Sequence, residues 1–285
     1  MKMLPLTVGC DPEGFLLNKK TGKFVSAHGI IPGTKSNPHP VPNGAVQVDG
    51  MAAEFNISPA STRQQFVDNT VSVISSLKAM LPKDVELAFV PTAVFSAEVW
   101  AAMPEEAKEL GCDPDFNAYT GLVNPRPDGN RDFRTAAGHI HLGWTEGMDI
   151  NDPSHIEACR MLSKQLDYYL GLPSLLIDPD PTRRSMYGKA GCFRVKPYGM
   201  EYRTPSNVWV NDPEMMAWVY DRAKEAFDSL MAGNDMYDMY KDYARILIDE
   251  QYNKPKPTIK DIREVKAVTK LGLGIELPPR QFIKG

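Results

Sequence analysis

Five times in this chain two chemically capable side chains stand two positions apart, with an apolar or structurally plain residue between or beside them. They are Asp11 and Glu13, Glu54 and Asn56, His139 and His141, Arg194 and Lys196, and Glu201 and Arg203. Side chains alternate faces along a strand, so residues i and i+2 point the same way. His139-Ile140-His141 and Glu201-Tyr202-Arg203 therefore each give one polar and one apolar face. The spacing predicts a sheet whose polar side does chemistry. Carboxylates, imidazoles and guanidinium groups form the set that holds divalent metal and phosphate, whereas a solvated sheet face more often carries Thr, Ser and Lys.

Strands and helices mix along the chain without the βαβα alternation of a doubly wound parallel sheet, which makes the fold class α+β. Residues 4–17 and 45–57 read as strands, separated by a Gly/Pro-rich loop over 29–44 that is long enough to be functional. Over 61–81, Phe66, Val67, Val71, Ile74, Leu77 and Met80 recur at helical spacing behind Ser61 or Thr62 as N-cap. Residues 85–90 read as a strand and 104–110 as a short helix ended by Gly111. A second loop, 124–134, leads into the histidines. Asp152-Pro153-Ser154 starts a helix predicted to run to Leu170, with Ile156, Cys159, Leu162, Leu166 and Tyr169 on one stripe and Gly171 after its end. Residues 174–178 read as a buried strand, 183–203 as a glycine-studded cationic segment, and about 213–232 and 236–252 as helices. A Pro- and Lys-bearing tail around one short helix follows over 253–285. No composition break divides the chain, so one catalytic domain over 1–285 is expected, with its core over about 4–252.

The 285 residues are 42% hydrophobic, enough for a sizeable core, and the net charge is −4. Lys and Arg are scattered without a basic tract, so no nucleic-acid partner is expected. No run of 18 or more apolar residues and no signal-like start is present, which points to a cytoplasmic protein with no membrane partner. Cys10, Cys112, Cys159 and Cys192 are widely spaced without a CxxC pair. They read as reduced, half-buried residues, neither a zinc site nor a disulfide framework.

Each pair has a plain reading beside the chemical one. Asp11-Pro12-Glu13 is either a turn or a metal-binding strand, and Glu54 either a solvent-facing strand residue or a ligand. His139 and His141 weigh more, because two of five histidines share one face and follow Ala136-Ala137-Gly138, small residues that allow close approach of a ligand. Magnesium or manganese shared among carboxylates and one imidazole fits better than zinc, since no third His or Cys has suitable spacing. The stretch from Arg183 and Arg184 to Arg194 and Lys196 is either a solvated surface or an anion cradle. No GxxxxGK[ST] or GxGxxG motif is present, so neither a P-loop nor a Rossmann site is supported. Glu201 follows Lys196 closely enough to place acid and cations on one antiparallel hairpin, which favours phosphoryl chemistry.

Taken in order, Gly9-Cys10-Asp11-Pro12-Glu13-Gly14-Phe15-Leu16, Gly33-Thr34-Lys35, Gln47-Val48-Asp49-Gly50 with Glu54-Phe55-Asn56, Gly138-His139-Ile140-His141-Leu142-Gly143 and Glu201-Tyr202-Arg203-Thr204-Pro205-Ser206 resemble the phage-type carboxylate-amine ligases. These are distant relatives of glutamine synthetase and glutamate-cysteine ligase, and the resemblance spans about residues 8–210. It implies a curved antiparallel sheet whose concave face holds divalent ions, Mg2+ or Mn2+, between ATP and a carboxylate, with helices on the convex face. By motif the metal ligands fall on Glu13 and Asp11, Glu54, His139 and Glu201. Arg203 and Arg194 match arginines that neutralise the transferring phosphoryl group, and Lys196 a contact to nucleotide phosphates, with Arg183, Arg184 and His141 as further nucleotide candidates. His141, Asp49 and Asp113 are candidates for the general base. The two loops, 29–44 and 124–134, are candidates for closing over substrate. The reaction implied moves the γ-phosphoryl of ATP onto a carboxylate, giving an acyl phosphate that an amine attacks. Two alternatives stand beside it: a guanidino-kinase-like phosphotransferase, and a non-catalytic phage assembly or binding protein. Retention of Glu13, Glu54, His139, Glu201 and Arg203 speaks against a dead site. Partners would be small-molecule or peptide carboxylates and amines, and the compartment the host cytoplasm if the chain is phage-encoded. The sequence leaves both substrates and the oligomeric state open.

Overall fold

Proline has no N–H to give a ladder, so Asp11-Pro12 is where the first long strand must change partners. In the computed structural model, which describes residues 3–108, 115–125, 133–178, 180–250 and 275–283, it does so. The segments before and after it, β1 (Thr7–Cys10) and β2 (Glu13–Asn18), belong to different sheets. The other strands are β3 (Phe24–Val25), β4 (His39–Val41), β5 (Gly44–Asp49), β6 (Ala52–Ile57), β7 (Val85–Ala88), β8 (Thr92–Val94), β9 (Phe116–Asn117), β10 (Phe133–Thr135), β11 (Ile140–Gly143), β12 (Cys192–Lys196) and β13 (Gly199–Tyr202). One sheet runs β1-β11-β13-β12-β9 and the other β3-β2-β6-β5-β4, with β7 on β2 and a small β8-β10 pair beside them. The neighbours pair antiparallel. Around the bend, the Glu13 amide donates to the Ala137 carbonyl at 2.9 Å and the Phe55 amide to the Pro12 carbonyl at 3.1 Å. Val8 and Ala60 form a bridge. These bonds stitch the sheets into one strongly curled half-barrel, the α+β fold expected.

The helices are α1 (Arg63–Ala79), α2 (Ala97–Ala102), α3 (Glu105–Lys108), α4 (Pro153–Leu166), α5 (Leu172–Ser174), α6 (Pro181–Met186), α7 (Pro213–Met231), α8 (Met236–Tyr240) and α9 (Tyr243–Glu250). Helix α1 starts where Thr62 accepts the Gln65 amide, and it buries Phe66, Val73, Ile74 and Leu77 against β5 and β6. Helix α4, capped by Asp152, packs behind β12 and β13, where its buried His155 donates to the Lys196 carbonyl at 2.8 Å. Helix α7 lies across α1 and α4. Between them sit Trp209 stacked on Phe66 at 6.0 Å and Trp144 against Phe227 at 5.8 Å. Each such ring fully buried contributes roughly 1.5–3 kcal/mol. This layer fixes the curvature of the sheet from its convex side.

Several expectations need correction. Residues 45–57 are a hairpin, not one strand, because Gly50 at φ 55° turns the chain between β5 and β6. Residues 174–178 are not a strand: the end of α5 and a following turn occupy them. Gly171 does not end the preceding helix, which continues through a π-helical turn, Asp167–Gly171, into α5. Glycine is required there because a Cβ would lie 2.4 Å from the Tyr202 hydroxyl. The helix expected over 236–252 breaks at Lys241, φ 55°. Val71, expected on the buried face of α1, is 39% exposed. Cys10, Cys159 and Cys192 are free thiols and fully buried rather than half-buried. Cys112, Gly111, residues 126–132 of the second loop and residues 251–274 lie outside the described residues, and the described part of the tail carries one short 3-10 helix, Arg280–Phe282. No helix among the described residues is long and apolar enough to cross a membrane.

Candidate active site

A row of paired residues crosses the first sheet: Gly9 opposite His141, His141 opposite Glu201, and Glu201 opposite Arg194. The i, i+2 partners of this row lie beside it on the same face, so Asp11, His139, Lys196 and Arg203 all reach the same point. Glu201, 0% exposed, meets the Lys196 ammonium at 2.8 Å, the Arg194 guanidinium at 3.5 Å and Arg203 more closely still. His139 Nδ1 lies 3.3 Å from Glu201 and 3.2 Å from Asp11 Oδ1, and His141 Nε2 lies 3.0 Å from the same Asp11 oxygen. Behind the cluster, Arg203 Nε donates to Asp115 at 3.2 Å, and Asn124 donates to Asp115 at 2.9 Å. Tyr198, in the turn between β12 and β13, stacks on His141 and shares a 2.5 Å hydrogen bond with its Nδ1.

Electrostatics follow from these contacts. Burial pushes the Glu201 and Asp11 carboxyls up, but in Glu201 the charges of Arg203, both histidines and Lys196 outweigh it, and in Asp11 those of the histidines do. Both are held well below the usual carboxylate range. Burial and the Arg203 charge lower His139 to about 4, leaving it neutral near pH 7, while Asp11 outweighs burial and raises His141.

A second group of acids occupies the neighbouring sheet. Glu13 and Glu54 are cross-strand partners on β2 and β6, and Asp49 ends β5 beside them. The Ala137 amide donates to Glu13 at 2.9 Å, and Gln47 donates to Glu54. No cation sits among them at ion-pair distance in the described residues. Burial, then the Asp49 charge, raises Glu13 to about 8; burial and the Asp11, Asp49 and Glu13 charges raise Glu54 well above its ordinary value; burial raises Asp49.

Asp11 Oδ1, His141 Nε2 and Glu201 Oε2 are buried without a well-aligned hydrogen bond: the first two lie 3.0 Å from each other and the third 2.8 Å from the Lys196 ammonium. Ligand atoms of these three residues all lie within 4.8 Å of one another. Two carboxylates and one imidazole brought to a common point are a donor set that suits Mg2+ or Mn2+, so the residues present fit such an ion. In this set the imidazole is that of His141. His139, the one expected, faces the Arg203 guanidinium, whose Nη1 donates to it at 3.3 Å.

The fold thus brings together Asp11, His139, His141, Arg194, Lys196, Glu201 and Arg203, and sets Glu13 and Glu54 beside them. Arg183 lies on the wall of an adjoining cleft of about 600 Å3 that is also lined by Glu13, Asp49 and Arg203. Arg184 is placed elsewhere: buried, 3.6 Å from Asp178 and donating to the Asp180 carbonyl, with no hydrogen bond or ion pair to Asp11 or Glu201. Asp113 lies outside the described residues. Gly138, read as making room for a ligand, makes room for the protein, since a Cβ there would meet the Ser206 carbonyl and the Trp209 indole at 2.4 Å. Sequence reasoning missed Tyr198, Asp115, Asn124 and Gln47. Gln47 carried a usable signal, because Gln47-Val48-Asp49 repeats the i, i+2 pattern. The others sit in turns or strand ends where no period exists.

The sequence profile of the family described as "Phage phiEco32-like COOH.NH2 ligase-type 2" matches residues 131–236. That span holds both histidines, Arg194, Lys196, Glu201 and Arg203, and the resemblance to phage-type carboxylate-amine ligases stated from the sequence is borne out there. No curated protein matches the sequence. Among solved structures, the crystal structure of a bifunctional glutathione synthetase from Pasteurella multocida aligns with a TM-score of 0.41 at 12% identity. The alignment covers 93% of this chain and 46% of that one, so this chain spans less than half its length.

Proposed function

We propose that the chain is an ATP-dependent carboxylate-amine ligase acting with Mg2+ or Mn2+. The observation that carries this reading is the convergence, on one concave face, of ligand atoms from Asp11, His141 and Glu201 with the cations Arg194, Lys196 and Arg203. The family match over the strands that bear most of these residues supports it.

A carboxylate is a poor electrophile, and bound Mg-ATP would supply the phosphoryl group that turns it into an acyl phosphate. Two anions must meet for that transfer, and at short range in a partly desolvated site their repulsion reaches several kcal/mol. Arg203 and Arg194 are placed to offset that charge, and Lys196 to hold nucleotide phosphate beside them. Asp115 fixes the Arg203 guanidinium by its Nε, so the remaining nitrogens face the cluster. Glu201, Asp11 and His141 would hold one ion, and Glu13 and Glu54 a second. The incoming ammonium would give up one proton to a base or solvent and attack the acyl carbon, and the tetrahedral adduct would lose a second proton as the C–O bond to phosphate breaks, leaving an amide N–H and inorganic phosphate.

An ADP-release assay with magnesium, ATP and pooled amino acids and peptides, followed by mass spectrometry, tests the reading. ADP and a condensation product smaller than the sum of its parts by one water are expected, with both lost in Glu54→Gln and Arg203→Ala. Full turnover in both variants would remove the site. ADP with a phosphorylated acceptor and no amide would point to a phosphotransferase instead.

A further inference from the structure

The cleft beside the ligand cluster contains two opposite charges that neither the fold nor the reaction above uses. Arg183 is 1% exposed. Its terminal nitrogens donate to the Thr204 carbonyl at 2.9 Å and the Arg203 carbonyl at 3.1 Å, and its Nε is buried without a partner. Two neutral carbonyls fix its position, and the carboxylates that act on it, Asp178 and Glu13, do so only from beyond ion-pair distance. Among the described residues no carboxylate lies within ion-pair distance, and Asp178 is engaged by Arg184 at 3.6 Å. An arginine buried in this way costs several kcal/mol unless an anion meets it. The chain also makes room for it: Gly188, at φ 77°, would with a Cβ meet Arg183 Nη1 at 2.2 Å.

Asp49 stands on another wall of the same cleft, in the turn between β5 and β6. It forms no hydrogen bond or ion pair with the described residues, and it lies next to Glu13 and Glu54. Both side chains line the one cleft, together with Glu13, Asp115, Arg134 and Arg203. Among the described residues it presents a fixed cation with no anion, and an anion with no cation, at ion-pair distance. A purely anionic ligand would meet Asp49 and a purely cationic one Arg183, so each would leave one buried charge unmatched.

We infer that this cleft takes a zwitterion, an α-amino acid whose carboxylate sits on Arg183 and whose ammonium sits on Asp49, as the amine substrate. The inference rests on the ligase reading for the word substrate, and on the cleft alone for binding. It assigns Arg183 to the amine substrate's carboxylate in place of the nucleotide phosphates expected from the sequence.

Saturation-transfer NMR on the full chain, without nucleotide or metal, separates the two levels. The probes are the common L-amino acids, each beside its N-acetyl and its decarboxylated counterpart. One or more amino acids are expected to bind, with removal of either charge weakening binding at least about tenfold, and with Asp49→Asn and Arg183→Gln each doing the same. Arg183 holds two carbonyls in the core, so its variant is read only if its cooperative unfolding survives. Asp49 is partly exposed on a turn and keeps the test decisive. Equal binding of the blocked analogues, unchanged binding in Asp49→Asn, or no binding by any amino acid overturns the inference. So does an Arg183→Gln variant that binds manganese-ATP more weakly and amino acids as before. Amino-acid binding without ATP-dependent condensation would leave this inference standing and sink the ligase reading; condensation with acceptors lacking a carboxylate would do the reverse.

Discussion

Two groups of carboxylates lie side by side on the concave face, and they are held in opposite ways. Asp11 and Glu201, on the sheet that carries the histidines, are surrounded by Arg194, Lys196, Arg203 and two imidazoles, and their carboxyls are held well below the usual range. Glu13, Glu54 and Asp49, on the other sheet, face one another, Glu13 and Glu54 accept amide hydrogen bonds, and burial outweighs the more distant cations and raises all three. The first group brings its cations from its own chain and is balanced on folding. The second has no cation at ion-pair distance among the described residues, so burial favours its protonated form until a cation from solution displaces the protons. An enzyme that must gather a metal ion and an anionic phosphate at one place needs both kinds: a cationic pole that exists before the ligands arrive, and an acidic pole that waits for them.

The largest expected effect sets the poles against each other directly. Glu201→Gln leaves Arg203, Arg194 and Lys196 crowded together without their common anion, and breaking a buried pair of this kind costs about 3–5 kcal/mol. Glu54→Gln removes one of three mutually repelling acids and is expected to be neutral or stabilising without metal. Urea unfolding of the two variants measures the difference. Equal losses in both would mean that the poles are not distinct.

Divalent metal should act on the acidic pole next. Ions that bind only the folded chain stabilise it by about 2.7 kcal/mol at a hundredfold excess over Kd. Binding displaces protons from Glu13, so the manganese-induced rise in Tm is expected to grow as pH climbs toward about 8. Glu54→Gln should shrink that rise. A metal effect independent of pH between 6 and 8 would place the ion with the other pole alone.

Without metal, pH distinguishes the poles by sign. Glu13, raised from 4.5 to about 8, stays protonated in the fold, so its stabilising contribution is complete below pH 4.5 and is lost as pH rises through 8. Asp167, raised from 3.8 to about 7 by burial despite hydrogen bonds from Tyr202 and Tyr119, behaves likewise up to pH 7. Asp11 and Glu201 contribute in the other direction: their share is present above the ordinary carboxylate range and lost as pH falls through their depressed values. Denaturant unfolding from pH 2 to 9 should give a loss on the alkaline side that Glu13→Gln and Asp167→Asn each reduce, and a loss below about pH 4 that neither changes.

The cationic pole was largely legible in the sequence, and the acidic pole only in part. Period-2 pairs name His139, His141, Arg194, Lys196, Glu201 and Arg203 because these residues stand on regular strands, where spacing fixes direction. Period does not say which imidazole faces the open point, since that depends on where the Asp11-Pro12 bend delivers Asp11. The hairpin over 45–57 was read as one strand because its turn is a single Gly50 inside an apolar run, and with the hairpin went the view that Gln47 and Asp49 face Glu54. The strand read into 174–178 failed for a related reason. A short buried apolar run has no period, and a helix that passes through Gly171 to accommodate Tyr202 cannot be foreseen from the glycine alone. Arg184 shows the limit of composition: a cation next to Arg183 in sequence is turned by α6 toward Asp178 instead.

The smallest effect serves as a control on both poles. Thr62 caps α1 by accepting the Gln65 amide at 3.2 Å, and α1 supports β5 and β6 from behind, so it underlies the acidic pole without touching it. Thr62→Ala is expected to cost about 1 kcal/mol in urea unfolding. If the acidic pole is a site on a rigid support, the manganese-induced rise in Tm should be the same in Thr62→Ala as in the native chain, because loosening the cap changes how readily the domain unfolds and not how three carboxylates face one another. A metal response that weakens along with the cap would show that β6 is set in place by the helix only when the ion is bound, and the acidic pole would then be assembled by its ligand, unlike the cationic pole beside it.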